Sequence, residues 1–119
     1  MTTLFKQNIA QPHETRYFKA GGRVDFVTLG SFTLSRAIFE PGWRWSDEVT
    51  SISGTSSCME RHTGIVLSGS MEVLADDGTH VTFHSGDVFL MEPGHDAWVE
   101  GNESCIILDT GVDAYVKSS

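Results

Sequence analysis

Cys58, Glu60 and His62 occupy alternate positions in the run Cys58-Met59-Glu60-Arg61-His62. On an extended strand every second side chain points to one face, with neighbours on that face roughly 6.5–7 Å apart. The spacing therefore predicts a thiol, a carboxylate and an imidazole side by side. His95, directly after the turn Pro93-Gly94, adds a second imidazole if the end of a neighbouring strand lies beside them. One cysteine and two histidines make a soft, tetrahedral-leaning set that suits Zn²⁺, with water or the Glu60 carboxylate as fourth ligand. Fe²⁺ and Mn²⁺ are the alternatives. A zinc ion with an open position acts as a Lewis acid or activates water. The competing reading needs no metal: Cys58 fills core volume, and His62 hydrogen-bonds Glu60 or a backbone carbonyl.

A second group is aromatic. Trp43 and Trp45 flank Arg44, and Trp98 follows the Pro93-Gly94 turn. Same-face indoles with a guanidinium between them can line a pocket mouth and hold a small planar or anionic ligand. The two tryptophans can instead seal an edge of the fold or form a dimer interface. His80 and His84 alternate with Val81 and Phe83, which puts the histidines on the solvent face of a half-buried strand. His13, Asp47-Glu48 and Asp76-Asp77 read as solvated groups, the last pair as a hairpin turn. Cys105 reads as a small buried apolar residue.

These side chains need a scaffold, and the chain supplies strands. From Val24 onward, short runs of period two are interrupted every eight to twelve residues by turn signals. The runs are 24–29, 32–39, 62–67, 71–75, 80–83, 88–91, 97–100 and 105–109, with a further one at 112–116. Asp77-Gly78 between two alternating runs predicts a hairpin with a primed turn, for which glycine supplies the positive φ. No window holds an apolar stripe at helical spacing. The domain is therefore all-β, a sandwich or closed barrel. Residues 1–22 form an arm or a first strand, and 23–119 make one barrel domain. Residues 43–58 carry no strand pattern, and a connection of that length is usually a functional loop or a disordered segment.

Composition narrows the field. The 119 residues suffice for one domain, and 39% apolar residues are enough for a globular core. Eight Lys and Arg stand against 16 Asp and Glu, a net charge of −8. That balance excludes nucleic-acid backbones and anionic membranes as partners. Without an apolar signal core, the expectation is a cytoplasmic protein with two reduced thiols.

The run Gly86-Asp87-Val88-Phe89-Leu90-Met91-Glu92-Pro93-Gly94-His95-Asp96-Ala97 resembles the second motif of the cupin superfamily, G-x5-P-x-G-x2-H-x3-N. His62 followed by Thr63-Gly64-Ile65-Val66-Leu67-Ser68-Gly69 resembles the end of the family's first motif, E-x6-G. The resemblance spans about residues 32–108. It implies a small jelly-roll, double-stranded β-helix barrel and a homodimer. It also locates departures. Counted back from Gly69, the family's metal-binding glutamate falls on His62 and its two histidines on Ser56 and Cys58. Counted forward from Gly42, those histidines fall on Glu48 and Thr50, so an insertion of about eight residues lies between. The remaining family histidine falls on Ala97, two positions after His95.

The altered set points to a small cupin whose metal-capable pocket, built from Cys58, His62 and His95 with Glu60, binds or transforms a small molecule. Cupin isomerases and dioxygenases are the enzymes it would resemble, although iron oxygenases need a carboxylate in the ligand set. The alternatives are a metal-free ligand-binding or sensory cupin, with Trp43, Arg44, Trp45 and Trp98 around the ligand, and a dimerising structural protein.

Overall fold

The computed structural model describes residues 3–49, 54–55 and 57–110. Among the described residues nine strands and one helical turn follow in chain order: β1 (Glu14–Tyr17), β2 (Gly22–Leu29), β3 (Phe32–Phe39), α1 (Trp45–Glu48), β4 (His62–Ser68), β5 (Ser70–Ala75), β6 (His80–His84), β7 (Val88–Met91), β8 (His95–Trp98) and β9 (Cys105–Asp109). A six-stranded sheet has the order β1-β2-β3-β9-β4-β7, and a three-stranded sheet the order β6-β5-β8. All paired neighbours are antiparallel.

Period-two patterning explains the core. Val24 and Phe26, Ala37 and Phe39, Met71 and Val73, and Cys105 and Ile107 are all buried. Each is separated from its pair by one residue, as a strand with a single inward face demands. The expected strands that fall on described residues form, with small shifts at their ends. The strand expected at 97–100 begins two residues earlier, at His95, because β5 captures that segment in the register Ala75↔His95 to Glu72↔Trp98. The arm holds a four-residue strand, β1, paired with β2. The run at 112–116 lies outside the described residues.

The β5–β6 hairpin forms at Asp76-Asp77-Gly78, but not through a primed turn. The Gly78 N–H donates to the Ala75 carbonyl at 3.0 Å. Gly78 has φ of +93°, and no described non-glycine residue has positive φ. The geometry is an ordinary turn followed by a left-handed glycine, the three-residue class of hairpin loop.

Within the connection between β3 and β4 the chain makes the helical turn α1. It carries Trp45 inward, while Trp43 packs on Phe39 with ring centroids 4.1 Å apart and on Phe18 at 5.6 Å. Glu48 is not simply solvated: its Oε1 accepts the backbone N–H of Lys19 at 2.6 Å, tying α1 to the turn before β2.

Candidate metal centre

Three strand ends and one pinned loop meet inside the barrel. His62 opens β4, His95 opens β8 and Asp109 closes β9, all on the inward face. Cys58 precedes β4 and is held by a two-way bridge to His95: its N–H donates to the His95 carbonyl at 2.6 Å, and its carbonyl accepts the His95 N–H at 3.2 Å. The Gly94 N–H donates to the same carbonyl at 2.7 Å. Gly94 has φ of +93°, the left-handed conformation that a β-carbon disfavours, and this turn aims His95 inward.

Cys58, His62 and His95 each offer one ligand atom, and the three atoms lie within 4.8 Å of one another. Cys58 Sγ is 3.4 Å from His62 Nε2. A tetrahedral zinc with its usual Zn–S and Zn–N lengths spaces sulfur and nitrogen by about 3.5 Å. The rings of His62 and His95 stand 5.7 Å apart at 74°. All three residues are under 5% exposed, at 3%, 3% and 4%.

Both imidazoles are oriented from behind. His62 Nδ1 lies 2.8 Å from Asp109 Oδ2, and Asp109 is fully buried. His95 Nδ1 donates to the Glu92 carbonyl at 2.7 Å. With each Nδ1 so occupied, Nε2 is the nitrogen available to the cluster, the arrangement that protein metal sites use to fix ring and tautomer. A sulfur and two pre-aimed nitrogens thus fit a zinc-type ion.

The charges agree. Burial opposes the Cys58 thiolate, but hydrogen bonds from His62, His95 and the Glu60 backbone N–H, with the charge of His62, hold its pKa at about 6. Burial likewise opposes the His62 imidazolium, yet Asp109 and Cys58 raise its pKa to about 9. Without a metal, Cys58, His62 and Asp109 form a hydrogen-bonded relay in which ionisation of the thiol and protonation of the imidazole favour each other. Cys105 is also a free thiol but has no such neighbours among the described residues, and burial pushes it up to about 12.

Other expected site residues lie elsewhere. Glu60 is exposed and outside the cluster. The chain bends between Cys58 and His62 rather than running as a strand, so alternation does not apply and only the Glu60 backbone faces the thiol. The aromatic pocket also does not form. Trp43 and Trp45 are core residues, 2% and 6% exposed. Arg44, between them, turns outward, stacks over the Trp98 ring at 4.4 Å and pairs with Asp96 at 3.4 Å. Trp98 alternates with the inward His95 and Ala97, which places it on the outer face of the small sheet. His80 and His84 are exposed as expected, His80 bonded to Glu72 at 2.8 Å.

Asp109 is the neighbour of the candidate site that the ligand motifs do not flag. Its signal is parity: it follows Cys105 and Ile107 on the inward face of β9, and a carboxylate there requires a polar partner.

Beside the triad opens a cleft of about 410 Å³ between the β5–β6 hairpin and β7. His95 lines it, as do Ala75, the register partner of His95, and Met91, the register partner of His62.

The pattern of the EutQ-like cupin domain matches residues 41–110, more than half of the chain, and the protein belongs to that family of cupins. Among curated proteins none matches significantly. Solved structures share the fold. A cupin 2 conserved barrel domain protein from Salinispora arenicola is 19% identical, with a TM-score of 0.58, covering 100% of this chain and 99% of its own. A conserved protein with a double-stranded β-helix domain from Klebsiella pneumoniae is 18% identical, with a TM-score of 0.56 and coverage of 93% and 92%. CENP-C of Drosophila melanogaster, solved bound to CAL1, is 12% identical, with a TM-score of 0.57 and coverage of 81% and 77%.

Proposed function

We propose that this cupin holds a divalent transition metal through Cys58, His62 and His95, and that the adjoining cleft binds or transforms a small molecule. The observation that carries the reading is the convergence of three buried ligand atoms within 4.8 Å, in a set whose two imidazoles are both fixed at Nδ1. Sulfur and imidazole nitrogen favour Zn²⁺ over Fe²⁺ or Mn²⁺. A zinc ion bound there supplies Lewis-acid chemistry. The chain's own part is preparation: Asp109 keeps His62 turned toward the thiolate, the Glu92 carbonyl keeps the proton of His95 on Nδ1, and all three ligand residues are buried.

Elemental analysis after loading with Zn²⁺ tests this. Near-stoichiometric zinc that falls in both Cys58→Ala and His62→Ala supports the site, and less than about 0.1 equivalent in the parent protein sinks it, since bound metal must survive dialysis. In that event the alternative is a metal-free ligand-binding cupin, which the cleft beside the relay favours.

The remaining partner expectations extend the proposal. The outer face of the six-stranded sheet carries Ile65, Val88, Leu90, Ile106 and Leu108, with Val88 80% and Leu90 52% exposed. A second copy of the chain is the proposed cover for this face. A cytoplasmic location suits the thiolate ligand, and among the described residues no helix is long and apolar enough to cross a membrane.

A further inference from the structure

The cleft beside the triad has an apolar wall and an acidic rim. Val73, Val81, Phe83 and Met91 supply the wall, and His95 reaches it from the cluster. Asp76, Asp77 and Glu92 supply the rim, and no lysine or arginine is among its described lining residues. Asp76 accepts the Ser57 hydroxyl at 3.0 Å and Asp77 the Thr79 N–H at 2.9 Å. Both donors are neutral, so they satisfy the oxygens without cancelling the charge. Arg61 pairs with Glu92 at 3.0 Å, but both side chains are more than half exposed, and such pairs are weak and salt-screened. Three acidic residues therefore line the cleft against one guanidinium paired to one of them.

The volume is near the lower end of the ~300–1,000 Å³ typical of small-molecule sites. Carboxylates at the mouth of a low-dielectric cleft concentrate cations and repel anions, and the chain's net charge of −8 acts in the same direction. We infer that the cleft selects a small apolar molecule bearing an amine or similar cationic group, accepts its uncharged isostere, and rejects carboxylates and phosphates. This rests on the reading of this end of the barrel as a small-molecule site. It reverses the anion preference expected for a pocket built around Arg44.

Three probes of one size and different charge test it: benzylamine, benzyl alcohol and benzoate. Methyl NMR spectra of the zinc-free and the zinc-loaded protein are recorded with each. Benzylamine and benzyl alcohol should shift the methyl signals of Val73, Val81 and Met91 in both forms. Benzoate should bind roughly tenfold more weakly than benzylamine at low salt, the penalty of two unit charges of like sign near the ligand. The double variant Asp76→Asn with Asp77→Asn keeps the acceptor oxygens. It should weaken benzylamine binding several-fold and leave benzyl alcohol unchanged. Benzoate binding as tightly as benzylamine would overturn the inference, as would cleft signals that move with none of the probes. An unaltered preference in the double variant would do the same. Selective shifts in a protein that takes up no zinc would uphold the cleft and overturn the metal centre, whereas zinc uptake without selective shifts would do the reverse.

Discussion

Cys58 and Cys105 are both buried, yet their thiols lie far apart in acidity. Burial alone pushes Cys105 up to about 12, while the hydrogen bonds of His62, His95 and the Glu60 N–H overcome the same penalty at Cys58 and hold it at about 6. Because that thiol lies below its ordinary value of 9.0, its contribution to stability is complete above 9.0 and is lost as pH falls through about 6. His62 is raised from 6.5, so its contribution is complete below 6.5 and is lost as pH rises through about 9. In the metal-free protein, absorbance at 240 nm should therefore show a thiolate step near pH 6, moved upward in His62→Gln. A step near 9 in the parent protein would contradict the relay. Asp109→Asn keeps the shape but loses the charge behind His62. Zinc affinity, measured by competition with a chelator, should fall about 10–100-fold, as for other partners that orient a ligand.

At the scale of elements, the triad depends on two turns held together by backbone bonds. The Cys58 carbonyl receives both the Gly94 and the His95 N–H, so the loop before β4 and the turn before β8 move as one piece. A β-carbon at Gly94 would meet positive φ and stand 2.9 Å from Asp76 Oδ2. Gly94→Ala should cost about 1–2 kcal/mol in urea denaturation and reduce zinc affinity as well, because the same turn aims His95. Trp43→Ala removes the indole packed on Phe39 and Phe18 and should cost about 3–5 kcal/mol. If its zinc stoichiometry survives in the folded fraction, that tryptophan acts in packing and not in the site. Strands were legible here because alternation and glycine turns are local signals. The start of β8 was not, since partner strand β5 sets its register.

For the whole molecule, the proposed metal and the proposed second copy would both feed into stability. Zinc that binds only the folded chain should add about 2.7 kcal/mol at a free concentration 100 times its dissociation constant, read as a rise in Tm that Cys58→Ala abolishes. The exposed apolar row on the large sheet is where the proposed dimer would form. Light scattering should give twice the 13.1 kDa chain mass, and Val88→Lys should halve it.

Residue types and local periodicity by themselves determined an all-β domain, the resemblance of two motifs to the cupins gave its family and the replacement of that family's usual ligands, and side-chain chemistry made Cys58, His62 and His95 the metal-competent candidates. Tertiary structure decided which of the candidates meet. Strand parity carries information only along one continuous strand, and between Cys58 and His62 the chain bends, so Glu60 leaves the set that spacing assigned to it. Asp109 joins from 47 residues away because β9 pairs with β4, a long-range contact that no short window encodes. Trp43 and Trp45 went to the core because burying large aromatic rings yields more free energy than lining an open mouth with them.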